Sequence, residues 1–244
     1  MSEESTEKPN LELVITGDGS KTIHNSRVGE HYHSKHGALQ ESLHVFVNSG
    51  LQYFLENNPA PANSPPEGES LKDDVSILEI GFGTGLNFLL SADFCIKKNI
   101  RLDYTGIEAY PLNLDMISQT GYDKYVSQEI WQKFIDGYKD MFLSPIQLNT
   151  YCKLQIANCK LDDFKSEKHY DIIYFDAFAS ARQPEMWDEA AISHTTQFLK
   201  PGGVFVTYAI TGNLKRSLKA LGCKIEKAQG ALGKREMLRA IKNR

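Results

Sequence analysis

Leu78-Glu79-Ile80-Gly81-Phe82-Gly83-Thr84-Gly85-Leu86-Asn87-Phe88 is the hinge of this chain. An apolar run from Val75 to Ile80 leads straight into three glycines at alternate positions, and a helix-like pattern from Leu86 to Ile96 follows. A short, β-branched apolar run suits a strand buried on both faces of a parallel sheet. Glycine permits a tight strand-to-helix turn and lets a ligand approach the main chain closely. The first turn of the helix then presents N–H groups with no intrahelical partner. The stretch predicts a nucleotide-type pocket at a strand–helix junction.

The same alternation continues downstream. Leu102–Ile107 reads as a strand ended by Glu108, with a helix after Pro111. A helix is expected from Ser127 to about Gly137, a strand over Cys152–Ala157, and another over Asp171–Phe175, closed by Asp176. Met186, Trp187, Ala190, Ala191, His194 and Phe198 recur every three or four residues, the mark of one helix face. Pro201-Gly202-Gly203 ends that helix and Val204–Tyr208 follows as a strand. Gly212–Leu221 is a short helix stopped by Gly222, and Cys223–Lys227 pairs with Met237–Ile241 as a final hairpin.

Upstream, residues 1–10 read as a disordered tail and Leu11–Val28 as strands turning at Gly17-Asp18-Gly19. A helix starts in the second half of the His31–Phe46 segment and runs to about Leu55; Asn57–Ser70, with prolines at 59, 61, 65 and 66, is a linker. The chain therefore divides into a tail (1–10), an N-terminal hairpin, lid and linker (11–70), and a β-α domain (71–244). Repeated β-α units imply an α/β fold with a doubly wound, mostly parallel sheet, here closed by a C-terminal antiparallel hairpin. Ligands of such sheets bind outside the carboxyl ends of the strands at the switch point.

The length of 244 residues suits one large α/β domain with an appendage. No apolar run approaches the roughly 18 residues of a membrane span, and the polar, acidic start lacks a signal-peptide core. Cys95, Cys152, Cys159 and Cys223 form no Cys-x-x-Cys pair, so reduced thiols in a cytoplasmic protein are expected and zinc is not. The run His31, His33, His36 lacks a partner pair to complete a metal ligand set. The formal charge of −4 is unevenly spread. From Gly212 onward ten Lys or Arg face only Glu226 and Glu236, a segment of +8. A basic end on an acidic body suits a polyanion such as nucleic acid, or is merely a solvated surface.

Two ligand classes compete for the glycine turn. Dinucleotide folds usually show G-x-G-x-x-G and seat a pyrophosphate on the helix N-terminus. Here the spacing is G-x-G-x-G, and Glu79 lies just before it. A carboxylate disfavours phosphate but favours a sulfonium or ammonium. Gly81, Phe82, Gly83, Thr84, Gly85 and Asn87 are therefore expected to cradle S-adenosylmethionine. Glu108, at the end of the next strand, suits the ribose hydroxyls, and Asn158, ending the third, an adenine edge. Asp176 faces the expected methyl donor, where it can orient an amine or take its proton. Phe178 can stack on an exposed base, and Arg182 can meet phosphate. Tyr32 and the segment through Glu41 are expected to form a lid over the cofactor.

At this point the chain resembles a known family. DAFASARQPEMW at 176–187, KPGG at 200–203, GALGKREML at 230–238, GFGTGLNF at 81–88 and the Tyr32–Phe46 segment resemble the methyltransferase domain of the bifunctional tRNA-modifying enzyme MnmC, called MnmD when it stands alone. The resemblance covers nearly the whole chain from about residue 15 and implies a Rossmann-like methyltransferase using S-adenosylmethionine. Its implied substrate is the amine of 5-aminomethyl-(2-thio)uridine at the tRNA wobble position. The implied catalytic or orienting acid is Asp176. Lys215, Arg216, Lys219, Lys234, Arg235 and Arg239 would meet tRNA phosphates. The FAD-dependent domain of the bifunctional members has no expected counterpart here. Asn158 departs from the family, where Asp is common. Two other readings stand beside this one: an aminopropyl-transferring enzyme of polyamine synthesis, which would want a second acid soon after Asp176, and a non-catalytic RNA-binding protein with a vestigial nucleotide fold.

Overall fold

The computed structural model describes residues 10–58 and 72–244. The expected tail, apart from Asn10, and most of the proline-rich linker lie outside the described residues.

Three short strands open the chain: β1 (Leu11–Ile15), β2 (Lys21–Asn25) and β3 (Glu30–His31), paired antiparallel in that order. Asp18 organises their first turn. Its carboxylate accepts from the Thr16 hydroxyl and the Ser20 and Gln40 N–H groups, so the turn is stitched to the start of α1 (Ala38–Ser42). That helix continues as a π-helical run over Leu43–Gln52 and finishes as α2 (Tyr53–Asn57). The expectation of one helix ending near Leu55 holds; the wider interior winding was not legible. The π run packs on the main sheet and buries Val45, Phe46, Val47 and Leu51.

The main sheet collects the remaining strands. β4 (Lys72–Ile80), α3 (Leu86–Lys98), β5 (Ile100–Ile107), α4 (Leu114–Ser118), α5 (Gln128–Gly137), β6 (Ile146–Gln147), β7 (Cys152–Ala157) and β8 (Tyr170–Phe175) alternate as anticipated, apart from the two-residue β6. Then come α6 (Glu189–Gln197), β9 (Leu199–Thr207), α7 (Gly212–Ala220), β10 (Cys223–Gln229) and β11 (Glu236–Lys242). The strand order is β10-β11-β9-β8-β4-β5-β7-β6. The five central strands are parallel, while β11, β10 and β6 join antiparallel. Strand order reverses between β4 and β8, so their carboxyl ends form the switch point.

Two boundaries differ from expectation. Met186 and Trp187 fall in a 3₁₀ turn (Pro184–Trp187), and α6 starts afresh behind Asp188, whose carboxylate accepts the Ala191 N–H. A capping Asp with Pro184 upstream breaks what periodicity alone joined. Pro201-Gly202-Gly203 lies inside β9 as an irregularity in its pairing with β8 and does not terminate the helix, which ends earlier at Gln197. Gly203 is needed there because a Cβ would stand 2.8 Å from the Asp171 carbonyl oxygen.

Both sheet faces are covered. On one, Phe46, Tyr174, Tyr104, Phe88, Phe82 and Phe134 pack ring against ring, with Tyr104 edge to face against both Phe88 and Tyr174. On the other, Phe175 packs between Trp187 and Phe205. Such rings supply most of the buried apolar area of the site's floor.

Candidate active site

The three glycines all adopt left-handed backbone conformations, with φ of 85° at Gly81, 51° at Gly83 and 77° at Gly85. A Cβ at Gly81 would stand 2.6 Å from the Asp176 carbonyl oxygen, and one at Gly83 would stand 2.8 Å from the Tyr32 ring. The turn is thus pressed between the end of β8 and the N-terminal lid. Gly85 caps α3 with no side-chain bond. The first N–H groups of that helix therefore remain available to a ligand.

Asn87, one residue into α3, ties the acids together. Its Nδ2 donates to Glu79 Oε1 at 2.8 Å and to Asp176 Oδ2 at 2.8 Å, while its Oδ1 is buried with no partner. Tyr104 Oη donates 2.8 Å to Glu79 Oε2. Glu79 is fully buried with both oxygens engaged. Burial, with Asp176 next, pushes its carboxyl well above the usual range. The expected direct contact of Glu79 with a ligand is therefore closed off in this conformation. The side chains of Phe82 and Thr84 are likewise engaged elsewhere. Phe82 packs in the aromatic core, and Thr84 is buried beneath the Tyr122 hydroxyl, so only their main-chain atoms line the turn.

Glu108 stands at the end of β5 as expected. Its oxygens accept the Gly83 N–H at 2.8 Å and the Tyr110 N–H at 2.9 Å. Burial raises its proton affinity, and those N–H groups oppose the rise. Asn158 is exposed at the end of β7, and no hydrogen bond holds its side chain among the described residues. The structure brings Glu79, Asn87, Glu108, Asp176 and the glycine turn together and leaves Asn158 on the rim.

Asp176 closes β8 half-buried, and its N–H donates to the Ile80 carbonyl. Burial, and after it the nearby Glu41 carboxylate, push its carboxyl up to about 8; Asn87 and Lys234 oppose the shift. Phe178, two residues on, meets Tyr32 edge to face at 5.1 Å. The Ala179 N–H donates to Glu30 Oε2, which fastens this loop to β3. Tyr208, ending β9, donates from its hydroxyl to the Ala177 carbonyl at 2.8 Å. Beside it lies a cavity of about 610 Å³ lined by Tyr208, Ala209, Ile210, Lys234, Arg235 and Glu236. Sequence reasoning missed Tyr208 and this cavity, because no motif marks where a hairpin loop will land.

The seven cations expected to meet tRNA separate. Arg182, Arg216, Lys219 and Arg235 are exposed and Lys215 half-exposed, with Arg182 lying against Gly29. Lys234 is instead bound to Glu41 at 2.7 Å and lies 3.9 Å from the Tyr208 ring centroid. Arg239 is likewise committed: it pairs with Glu226 at 2.9 Å and stacks on the Tyr53 ring. Neither is an open phosphate contact. His31 stacks on His24, and His33 is buried against Thr22. Among the described residues no group of three His, Cys, Asp or Glu is placed to hold a metal, and no helix is long and apolar enough to cross a membrane.

A glycine cradle that any Cβ would fill, open helix N–H groups, an acid at the β5 end and surplus carboxylate at the switch point together fit an adenosyl group bearing a sulfonium. The fold is Rossmann-like, and this donor set suits S-adenosyl-L-methionine. Residues 125–243 match the family model described as S-adenosyl-L-methionine-dependent methyltransferase. A similar curated protein is the tRNA 5-methylaminomethyl-2-thiouridine biosynthesis bifunctional protein MnmC of Leptospira interrogans, 28% identical over 92% of this chain and 34% of its own length. The protein of the same name from Idiomarina loihiensis is 30% identical over 81% of this chain and 35% of its own. The chain thus spans about a third of the length of these relatives. The crystal structure of MNMC2 from Aquifex aeolicus superposes with a TM-score of 0.70 at 21% identity, covering 97% of this chain and 72% of that one, which shows a shared fold.

Proposed function

We propose that the protein methylates the amine of 5-aminomethyl-(2-thio)uridine at the tRNA wobble position, giving the 5-methylaminomethyl product, as a cytoplasmic enzyme. The observation that carries this reading is Asp176. It sits at the switch point beside the glycine cradle, and the Tyr208 hydroxyl that holds the next residue, Ala177, comes from a side chain lining a cavity of about 610 Å³. The curated relatives, whose name refers to synthesis of this modified uridine, support the acceptor.

S-adenosylmethionine, when bound, supplies a methyl group whose bond to sulfur breaks onto the sulfur as the amine lone pair forms the N–C bond. The rest falls to this chain's residues. Asp176 accepts the proton that the amine must lose, and a carboxyl raised to about 8 suits that role as the pH approaches 8, where its anionic form becomes populated. Asn87 fixes the Asp176 carboxylate, which keeps the acceptor in line. Tyr32 and Phe178 close over the glycine turn and keep water out. Arg182, Lys215, Arg216 and Arg235 position the RNA by its phosphates. The aminopropyl-transfer reading lacks the second acid it needs, since residues 177–183 contain none.

Incubation with undermodified tRNA and S-adenosylmethionine, followed by nucleoside mass spectrometry, tests the proposal. Wild type is expected to add one methyl to aminomethyluridine, and Asp176→Ala to lose at least a hundredfold in rate, the lower range for a general base. No transfer by wild type overturns it.

A further inference from the structure

Glu79, near the end of β4, and Asp176, just past the end of β8, close neighbouring strands at the switch point. One side chain joins them. Asn87 Nδ2 stands 2.8 Å from Glu79 Oε1 and 2.8 Å from Asp176 Oδ2, so its two N–H groups serve one carboxyl each. Two oxygens that share a nitrogen in this way lie within the ~4–6 Å over which one ionised carboxylate disfavours another. Asn87 is 2% exposed and its Oδ1 has no partner, so these two bonds alone orient the amide. Glu79 Oε2 is occupied as well, by the Tyr104 hydroxyl at 2.8 Å. Of the four oxygens, only Asp176 Oδ1 accepts no hydrogen bond among the described residues, and Asp176 is the half-buried member of the pair. No ion pair reaches either carboxyl among the described residues.

We propose that Glu79 and Asp176, bridged by Asn87, act as one carboxyl pair that holds a proton in the empty site and releases it to solvent when a cationic ligand binds at the switch point, so that the site tells a charged sulfonium donor from its neutral thioether product. Two carboxylates this close share a proton, and they titrate as a pair. The proton's place is Asp176 Oδ1, the one oxygen without a donor. Around the pair stand Tyr104 and Glu108 from β5, Tyr174 from β8, Tyr208 from β9, Glu41 from α1 and Lys234 from the hairpin loop. Lys234, the cation of this group, is already bound to Glu41 at 2.7 Å. Burial raises both carboxyls, that of Asp176 to about 8, in keeping with a held proton near neutral pH. A positive charge brought to the end of these strands favours the ionised form and expels the proton. Asp176 is then the base that methyl transfer needs, formed only when the donor is present. The release rests on the S-adenosylmethionine reading. The shared proton of the empty site does not.

The ligand-free protein, labelled with carboxyl-¹³C aspartate and glutamate, allows both groups to be titrated by NMR, each signal assigned by its loss in Asp176→Asn or Glu79→Gln. Glu79→Gln is expected to lower the Asp176 midpoint by at least about one pH unit, a tenfold loss of proton affinity, and Asp176→Asn to lower that of Glu79 likewise. An unchanged midpoint in a folded variant overturns the proposal, and so does a wild type whose two carboxyls both ionise below about pH 6. Should one variant fail to fold, the other serves. Calorimetry in buffers of different ionisation enthalpy then counts protons at about pH 6.5, below the ~7.7–8 of a free α-amino group, so that the ligands' own amines stay charged. S-adenosylmethionine is expected to release close to one proton per site, S-adenosylhomocysteine close to none, and Asp176→Asn to lose the difference. Equal proton counts for the two ligands in wild type overturn the proposal. If neither ligand binds, the cofactor reading fails and the release with it, while the titration still decides whether the pair shares a proton.

Discussion

At the residue scale, Asp176 carries opposing demands. Its folded-state carboxyl titrates at about 8, far above the 3.8 of a free aspartate. Between those values the native state holds a proton that the unfolded chain has lost, so this residue's contribution to stability falls as pH rises from about 4 to 8. Below about 4 both states are protonated and the effect vanishes. Asp176→Asn is therefore expected to unfold at a higher temperature than wild type at pH 8, with the two melting curves converging near pH 4, while methyl transfer is lost. A lower melting temperature for Asp176→Asn at pH 8 would contradict this account. Asn87 meets a related demand. With one amide nitrogen it serves two carboxylates, leaving its own oxygen buried and unpaired. Such an atom costs free energy on the order of 1–3 kcal/mol, tolerated where the geometry serves the site.

At the element scale, the π-helical run over Leu43–Gln52 brings Gly50 against the sheet. A Cβ at Gly50 would stand 2.9 Å from both Tyr174 Cε1 and Val206 Cγ1, and both of those side chains are fully buried. Alanine is the better helix former by roughly 1 kcal/mol. Overpacking a rigid core costs about 1–3 kcal/mol, and here the obstacle is an aromatic ring held on all sides. Gly50→Ala is thus expected to destabilise by about 1 kcal/mol net, read as a lower urea midpoint with unchanged slope. A stabilised variant would mean that the helix shifts freely on the sheet, against the packing described. The same helix begins with α1, which carries Glu41 to its pairing with Lys234.

At the scale of the whole molecule, the basic C-terminal segment is less available than its composition suggests. Arg239 is bound to Glu226 and Tyr53, and Lys242 donates to the Thr196 and Leu199 carbonyls, so these cations fasten the hairpin. Arg235 lies exposed at the cavity, and Arg216 is exposed on α7. Replacing both with Ser is expected to weaken tRNA binding and to reduce the slope of log affinity against log salt by about one for each lost phosphate contact. Arg239→Ser is expected to lower thermal stability while leaving that slope unchanged. Equal effects on the slope from Arg239 and Arg235 would show that burial does not sort these cations.

Much of the fold was legible because it is written locally. The apolar run before Gly81, the alternate glycines and the acids closing strands β5 and β8 are short-range patterns, and a strand–turn–helix unit is built from neighbours in sequence. Helix α6 misled for the same reason. Periodicity joined Trp187 to Ala191, and only the Asp188 cap, a hydrogen bond to one particular N–H, divided them. Glu79 and Asp176 could be named from sequence, but not that a single Asn87 would bridge them, since that bond spans 89 positions. Nor could the pairing of Glu41 with Lys234, 193 positions apart, be foreseen. The sequence by itself determined the element types, the cofactor cradle and the identity of the acid at the switch point, because backbone freedom and strand-end placement are properties of a few adjacent residues. Tertiary structure alone decided which charges lie near that acid, which cations stand exposed and where the cavity opens, because burial and long-range Coulomb contacts exist only once distant segments pack together.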